Sequence, residues 1–320
     1  MTNNDNRRAD KKNDGQYVRL PQGKATNNLI SASLKRTKKD KLGRTTIVMN
    51  GWKLTIEKGK MNMNTDASKL LDWATVKLLK NNNFRPKIKQ KINTTVEFSL
   101  RDFGEICGKN VAESKNALDN FRKTVKKSLD VLYNISLSWT EPSAIFIADK
   151  NKNSKRAKKN FVDIRILQKK GIRNGIVLMQ FTDDFSEYLL NAYIMKYPLS
   201  LFFTDGRNPN TYAIGRKLVL IHGMNKNQKR RRANIISVEK LLQCAPNIDL
   251  YEEIQEKDPG HWKSRMQNPL EISLNDIVEL GVISGWNYCG SKEKKLLEKE
   301  IKIMCSNYEL WSKSYIHFDM

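Results

Sequence analysis

An α+β protein built as two similarly ordered halves is what this 320-residue sequence predicts, and three observations carry the expectation. From Asn208 to Trp286 the apolar and turn residues run in the order helix, short β-branched stretch, short helix, longer helix, strand. A comparable order runs from Ala67 to Phe181. The formal charge is +24, from 58 Lys+Arg against 34 Asp+Glu, a surplus that repels itself until a polyanion neutralises it. Helix, short helix, longer helix and then strand is the order of a winged helix-turn-helix, a scaffold whose usual work is reading duplex DNA.

The length suits two modest domains, each able to bury a core. We expect a disordered basic tail over 1–45, a first winged-helix domain over 46–190 and a second over 191–320. No apolar run approaches the roughly 20 residues that span a bilayer, and the N-terminus lacks the apolar core of a secretory signal, so a cytoplasmic protein is expected with no membrane partner. Cys107, Cys244, Cys289 and Cys305 form no C-x-x-C pair and read as reduced, mostly buried thiols.

In chain order, residues 1–45 are polar and poor in aromatics, too weakly apolar to offset chain entropy. Their cluster Lys35-Arg36-Thr-Lys38-Lys39-Asp-Lys41 reads equally as a phosphate-tracking arm and as a solubilising tail. Thr46–Met49 and Trp52–Ile56, separated by Asn50-Gly51, read as a hairpin. Asn64-Thr-Asp66 caps a helix over Ala67–Leu79, with Leu70, Leu71, Trp73, Ala74 and Leu78 facing the core. Thr94–Phe98 reads as a strand, Leu100–Cys107 as a short helix closed by Gly108, and Ala112–Tyr133 as a long helix. On the long helix Leu118, Phe121, Val125, Leu129 and Leu132 form the inner stripe. Lys115, Asn116, Arg122, Lys123 and Lys126 lie on the opposite face, which suits a recognition helix and equally a solvated one. Ile135–Trp139, Phe161–Leu167 and Gly175–Phe181 are read as the sheet and wing of this domain, with Lys155 and Arg156 in a basic loop.

A helix from Thr182 leads to Tyr197-Pro198, where the pattern restarts. Tyr212, Ile214, Leu218, Val219 and Ile221 fill one face of the next helix, while Arg216 and Lys217 point elsewhere and count as DNA-binding candidates. His222 at its end reads as a cap or packed side chain rather than a ligand. Arg230, Arg231 and Arg232 form a dense positive loop suited to phosphate. Val238–Cys244 reads as the short helix, and the run from His261 as the second recognition helix. Lys263, Ser264, Arg265 and Gln267 near its start carry the donors and acceptors that read base edges, although Pro269 should bend or divide it. Gly281–Tyr288 and Ser314–Phe318 pair as wing strands around a charged, helix-like run over Lys292–Ile301.

Catalytic signatures are missing. There is no G-x-x-x-x-G-K-[ST] loop, and His222, His261 and His317 form no His-x-His pair of the kind a rolling-circle nickase uses. No metal or cofactor is expected, and no enzymatic activity.

Tyr197-Pro198, Leu201-Phe202, Asp205, Arg207-Asn-Pro-Asn210, Tyr212, Gly215-Arg-Lys-Leu218, Asn234-Ile-Ile-Ser-Val238, Leu241-Leu242 and Arg265-Met-Gln-Asn-Pro-Leu270 together resemble plasmid replication initiators built from two winged-helix domains. Thr95–Leu100, Ala117-Leu118, Leu132-Tyr133 and Gly171-Ile-Arg-Asn-Gly175 are similar to the first winged helix and wing of that family. The resemblance spans about residues 65–290 in many short matches, and the chain departs from the family in its basic N-terminal segment and in the extension after Tyr288. It implies binding of repeated duplex sites at an origin, a monomer–dimer equilibrium, and recruitment of the host replication initiator and replicative helicase. A transcriptional repressor of the same fold and a nicking relaxase are the alternatives.

Overall fold

The computed structural model describes residues 17–22, 27, 45–49, 52–56, 64–84, 91–111, 113–139, 162–225, 234–258, 260–290 and 296–320. The chain divides into two compact units, Arg19–Met195 and Lys196–Met320, with Tyr17 and Val18 grouped with the second. Each contains a winged helix.

Two strands run across the division, and β1 (Tyr17–Gln22) pairs with β9 (Tyr193–Pro198). This corrects the expectation of disorder over 1–45 for that stretch: Leu20 is fully buried, which anchors a short extended segment inside an otherwise polar region. In the N-terminal unit the hairpin of β2 (Thr45–Met49) and β3 (Trp52–Ile56) is present, antiparallel in register Thr45↔Ile56 to Met49↔Trp52. Helix α1 (Thr65–Asn81) starts where Asn64 Oδ1 accepts the Ala67 N–H at 2.8 Å, and Leu70, Leu71, Trp73, Ala74 and Leu78 are all buried. Strand β4 (Thr95–Ser99) runs directly into α2 (Leu100–Ile106), whose first turn is capped by Ser99 Oγ. Gly108, at φ 64, ends it, and the long α3 (Lys115–Tyr133) begins at the Ser114 cap.

The strands after α3 do not all belong to the wing. β5 (Ile135–Trp139) and β6 (Val162–Arg165) join the hairpin in a four-stranded sheet of order β2-β3-β5-β6. The wing sheet is instead β4-β8-β7, made with β7 (Leu167–Arg173) and β8 (Ile176–Phe181). The run read as one strand over Phe161–Leu167 is thus divided at buried Ile166, which sits between two different pairing partners. Helix α4 (Asp183–Leu190) closes the unit.

In the C-terminal unit a 3-10 turn (Leu199–Phe203) precedes α5 (Pro209–Asn225). A Cβ at Gly215 would lie 2.5 Å from Leu201 Cδ2 and 3.4 Å from Ile277, so glycine permits close packing of α5 against both neighbours. Strand β10 (Ile235–Ser237) leads into α6 (Val238–Cys244), capped by Ser237 Oγ as Ser99 caps α2. A short acidic helix α7 (Tyr251–Lys257) intervenes, then a π-helical turn (Lys263–Gln267) that continues as α8 (Asn268–Glu279). Asp276 Oδ2 accepts hydrogen bonds from Asn208 Nδ2 and Thr211 Oγ1, each at 2.7 Å, tying α8 to the start of α5. Strand β11 (Gly285–Cys289) pairs antiparallel with β12 (Tyr315–Asp319), Gly285 opposite Asp319 and Cys289 opposite Tyr315, as the sequence predicts. The sheet order β10-β12-β11 repeats that of β4-β8-β7. Between the wing strands lie α9 (Glu298–Met304) and α10 (Tyr308–Ser312), so the described helix starts later than the charged run suggested.

Candidate nucleic-acid interface

In each unit the third helix of the winged helix presents an exposed face directly opposite the core. On α3 the buried side chains are Phe121, Val125, Ser128, Leu129, Val131 and Leu132. At roughly 100° per residue the far side carries two stripes with i, i+4, i+7, i+11 spacing. One is Asn116, Asn120, Lys123 and Lys127, all exposed. The other is Lys115, Asp119, Arg122 and Lys126, in which Arg122 Nη1 pairs with Asp119 Oδ1 at 2.8 Å. Every α3 candidate named from the sequence is therefore exposed. Asn120 and Lys127 were missed, although their spacing from Asn116 and Lys123 was there to be read.

The wing of this unit turns at Asn174-Gly175, with φ 50 and 75, the left-handed pair that a two-residue hairpin of right-handed twist needs. Lys169 and Arg173 are exposed on β7. Lys170 pairs with Asp130 of α3 and sits 5.0 Å from the Tyr133 ring centroid, which fixes the wing against the helix. Gly104 lies where α2 meets Val111, and a Cβ there would approach the Val111 methyls to 2.7 and 2.8 Å.

In the C-terminal unit Lys263, Ser264 and Arg265 are exposed on the π turn. Arg265 lies 3.5 Å from both Asp249 and Asp258, and Lys263 Nζ is 5.9 Å from the Trp262 ring. Gln267 does not share that face. It is 9% exposed, and its Nε2 donates to Glu271 Oε1 at 2.8 Å, where Tyr288 Oη also donates at 2.8 Å. The neighbouring Asn268 is exposed in its place. Asn275, on the same side of α8, accepts the Trp286 indole N–H at 2.9 Å through Oδ1.

Arg216 is likewise inside, at 4% exposure, because α5 is covered on nearly every side; Lys217 is half-exposed. Lys155, Arg156, Arg230, Arg231 and Arg232, with the 35–41 cluster, lie outside the described residues. His222 Nδ1 is 2.8 Å from Asn234 Oδ1, a packed hydrogen-bonded side chain as expected. The four cysteines are free, and burial pushes the Cys107 thiol up to about 12. Among the described residues no three His, Cys, Asp or Glu side chains gather as a metal site, and no helix is long and apolar enough to cross a membrane.

Within each unit an exposed face carrying Asn and Lys, in the first unit beside a basic wing, suits a groove of a polyanion: Asn can bridge adenine N6 and N7, and Lys can reach guanine or phosphate. The solved structures include a similar chain, the Pi initiator protein crystallised in complex with iteron DNA, at TM-score 0.52 and 13% identity over 95% of this chain and 96% of that one. No curated protein matches the sequence. Residues 24–203 match the family model described as Initiator Replication protein, WH1, which covers more than half of the chain. The chain belongs to this family of replication initiators.

Proposed function

We propose that this initiator binds repeated duplex sites at a plasmid origin, with α3 and α8 each entering a major groove and the basic wing strand β7 beside α3 contacting phosphate. The observation that carries the reading is the repeated architecture. Two winged helices with the same sheet order each expose a polar face on the third helix, in a chain of net charge +24. Lys115, Asn116, Arg122, Lys123 and Lys126 serve the first contact, and Lys263, Ser264 and Arg265 the second, where Asn268 takes the part first given to Gln267. Lys217, Lys155, Arg156 and Arg230–Arg232 contribute phosphate contacts. Arg216 and Gln267 hold the scaffold from inside instead.

The similar Pi initiator was crystallised with iteron DNA, which supports tandem repeats as the target. We further propose that the protein acts without catalysis, as a binding platform that associates with itself and recruits the host initiator and helicase. A footprint of the purified chain on DNA flanking its own gene tests the reading. Regularly spaced protected repeats are expected; a single palindrome would instead indicate a repressor. Nicking of supercoiled plasmid in divalent metal, lost on changing one tyrosine to phenylalanine, would overturn the non-catalytic part.

A further inference from the structure

Isolated exposed aliphatic side chains are ordinary on protein surfaces, so an exposed isoleucine says little until its position is specified. Ile272 is 54% exposed, and it lies on α8. The core side of that helix is Leu270, Ser273, Leu274 and Ile277. Taking Asn268 as zero, at 100° per residue Ile272, Asn275 and Glu279 fall within about 40° of it, and the core residues lie on the far side. Ile272 thus sits in the middle of the outward stripe, one turn beyond Asn268 and one before Asn275. In α3 the matching stripe, Asn116, Asn120, Lys123 and Lys127, is wholly polar.

The flanking chemistry identifies what the stripe faces. Toward its start are the exposed cations Lys263 and Arg265, and on either side of Ile272 are Asn268 and Asn275. The Trp286 indole N–H holds the carbonyl of Asn275, which leaves the Asn275 amide N–H groups directed by a fixed partner. Glu279 ends the stripe with a carboxylate that would meet phosphate unfavourably, so the part facing the polyanion stops at Asn275. An aliphatic group flanked by amides and cations finds one apolar partner in the major groove, the C5 methyl of thymine.

We propose that Ile272 is a specificity-determining residue that packs against a thymine methyl in the site bound by the C-terminal winged helix. This rests on the reading of α8 as a base-reading helix. Asn268 and Ile272, one turn apart, then select neighbouring A·T pairs, the amide through adenine N6 and N7 and the side chain through the methyl.

The test uses the full chain and a duplex carrying one footprinted repeat, with each thymine replaced in turn by deoxyuridine, which removes only the methyl. At one position the wild-type protein should bind about fourfold more weakly, the effect of one buried methyl-sized group. Ile272→Ala should already bind the natural repeat more weakly and should be insensitive to that same replacement. Equal losses in both proteins, or no sensitive thymine, would overturn the assignment. Asn268→Ala and Lys263→Ala separate the two levels. If both weaken repeat binding while Ile272 shows no coupling, only the thymine contact is wrong. If neither does, α8 does not read bases, and the contact fails with it.

Discussion

Replacing Tyr288 by phenylalanine removes one oxygen from a buried chain of hydrogen bonds that joins the wing to α8. The Trp311 indole N–H donates to Tyr288 Oη at 2.9 Å, and Tyr288 donates to Glu271 Oε1 at 2.8 Å, the atom that also receives Gln267. Burial pushes the Tyr288 phenol well above its usual range, so it stays a neutral donor. Phenylalanine keeps the ring and its edge-on contact with Trp286, 5.5 Å between centroids, so the change is confined to the hydroxyl. Trp311 is fully buried and would lose its acceptor, which costs about 1–3 kcal/mol. The lost bond to Glu271 is partly replaced by water because Glu271 is only half-buried. A destabilisation of about 2–3 kcal/mol is therefore expected, read as a lower urea midpoint in the tryptophan-fluorescence transition of the full chain. Affinity for the repeat should also fall more than affinity for unrelated duplex, since the π turn carrying Lys263 and Ser264 is held through Gln267 and Glu271. A stability change below about 0.5 kcal/mol would refute the chain of bonds as a structural tie.

Three further outcomes are expected. Arg265→Ala removes ion pairs at 3.5 Å from a side chain that is 42% exposed, so stability should change by less than about 1 kcal/mol. Duplex affinity should nevertheless drop and its log–log salt slope shrink by about one; an unchanged slope would mean that Arg265 touches no phosphate. Gly175→Ala places a side chain at φ 75 with no heavy atom within 4 Å, so its cost is purely conformational, about 1 kcal/mol by thermal denaturation, and an unchanged midpoint would contradict the turn. The Cys107 thiol is raised from 9.0 to about 12, so its contribution is complete below pH ~9 and is lost as the pH climbs toward 12, at about 1.4 kcal/mol per unit. Stability of the wild type should therefore fall more steeply than that of Cys107→Ala between pH 9 and 11, and parallel curves would refute it.

Long amphipathic helices were legible because one inner stripe repeats over several turns: α1 and α3 each carry the apolar faces read from spacing. The short helix α6 was legible from the β-branched run before it. Sheet membership was not. Alternation tells which side of a strand is buried but not which strand pairs with it, so β5 and β6 were assigned to the wing when they extend the first hairpin. Helix α7 has a single buried residue, Ile254, too little for a periodic signal. Polarity likewise failed to give direction for Arg216. From Asn210 to Leu220 nearly every residue of α5 is buried, so the helix has no polar side on which an arginine must lie.

Pro269 decides the rest. It has no N–H, and in a continuous α-helix its ring would crowd the carbonyl of Arg265. The helix avoids this by opening one turn: the Asn268 N–H donates to the Lys263 carbonyl, five residues back rather than four. A wider turn passes one extra residue, which is why Trp262 is buried and Lys263 exposed, where uniform spacing would put Lys263, seven residues before buried Leu270, on the core side. At 100° per residue Gln267 lies within about 20° of buried Leu274, seven residues on, so its inward position follows from the register of α8 itself. On that register Gln267 reaches Glu271, one turn on, and through it Tyr288 of the wing and Trp311 of α10. Gln267 is thus a structural anchor, and the outward stripe of the helix is left to Asn268, Ile272 and Asn275.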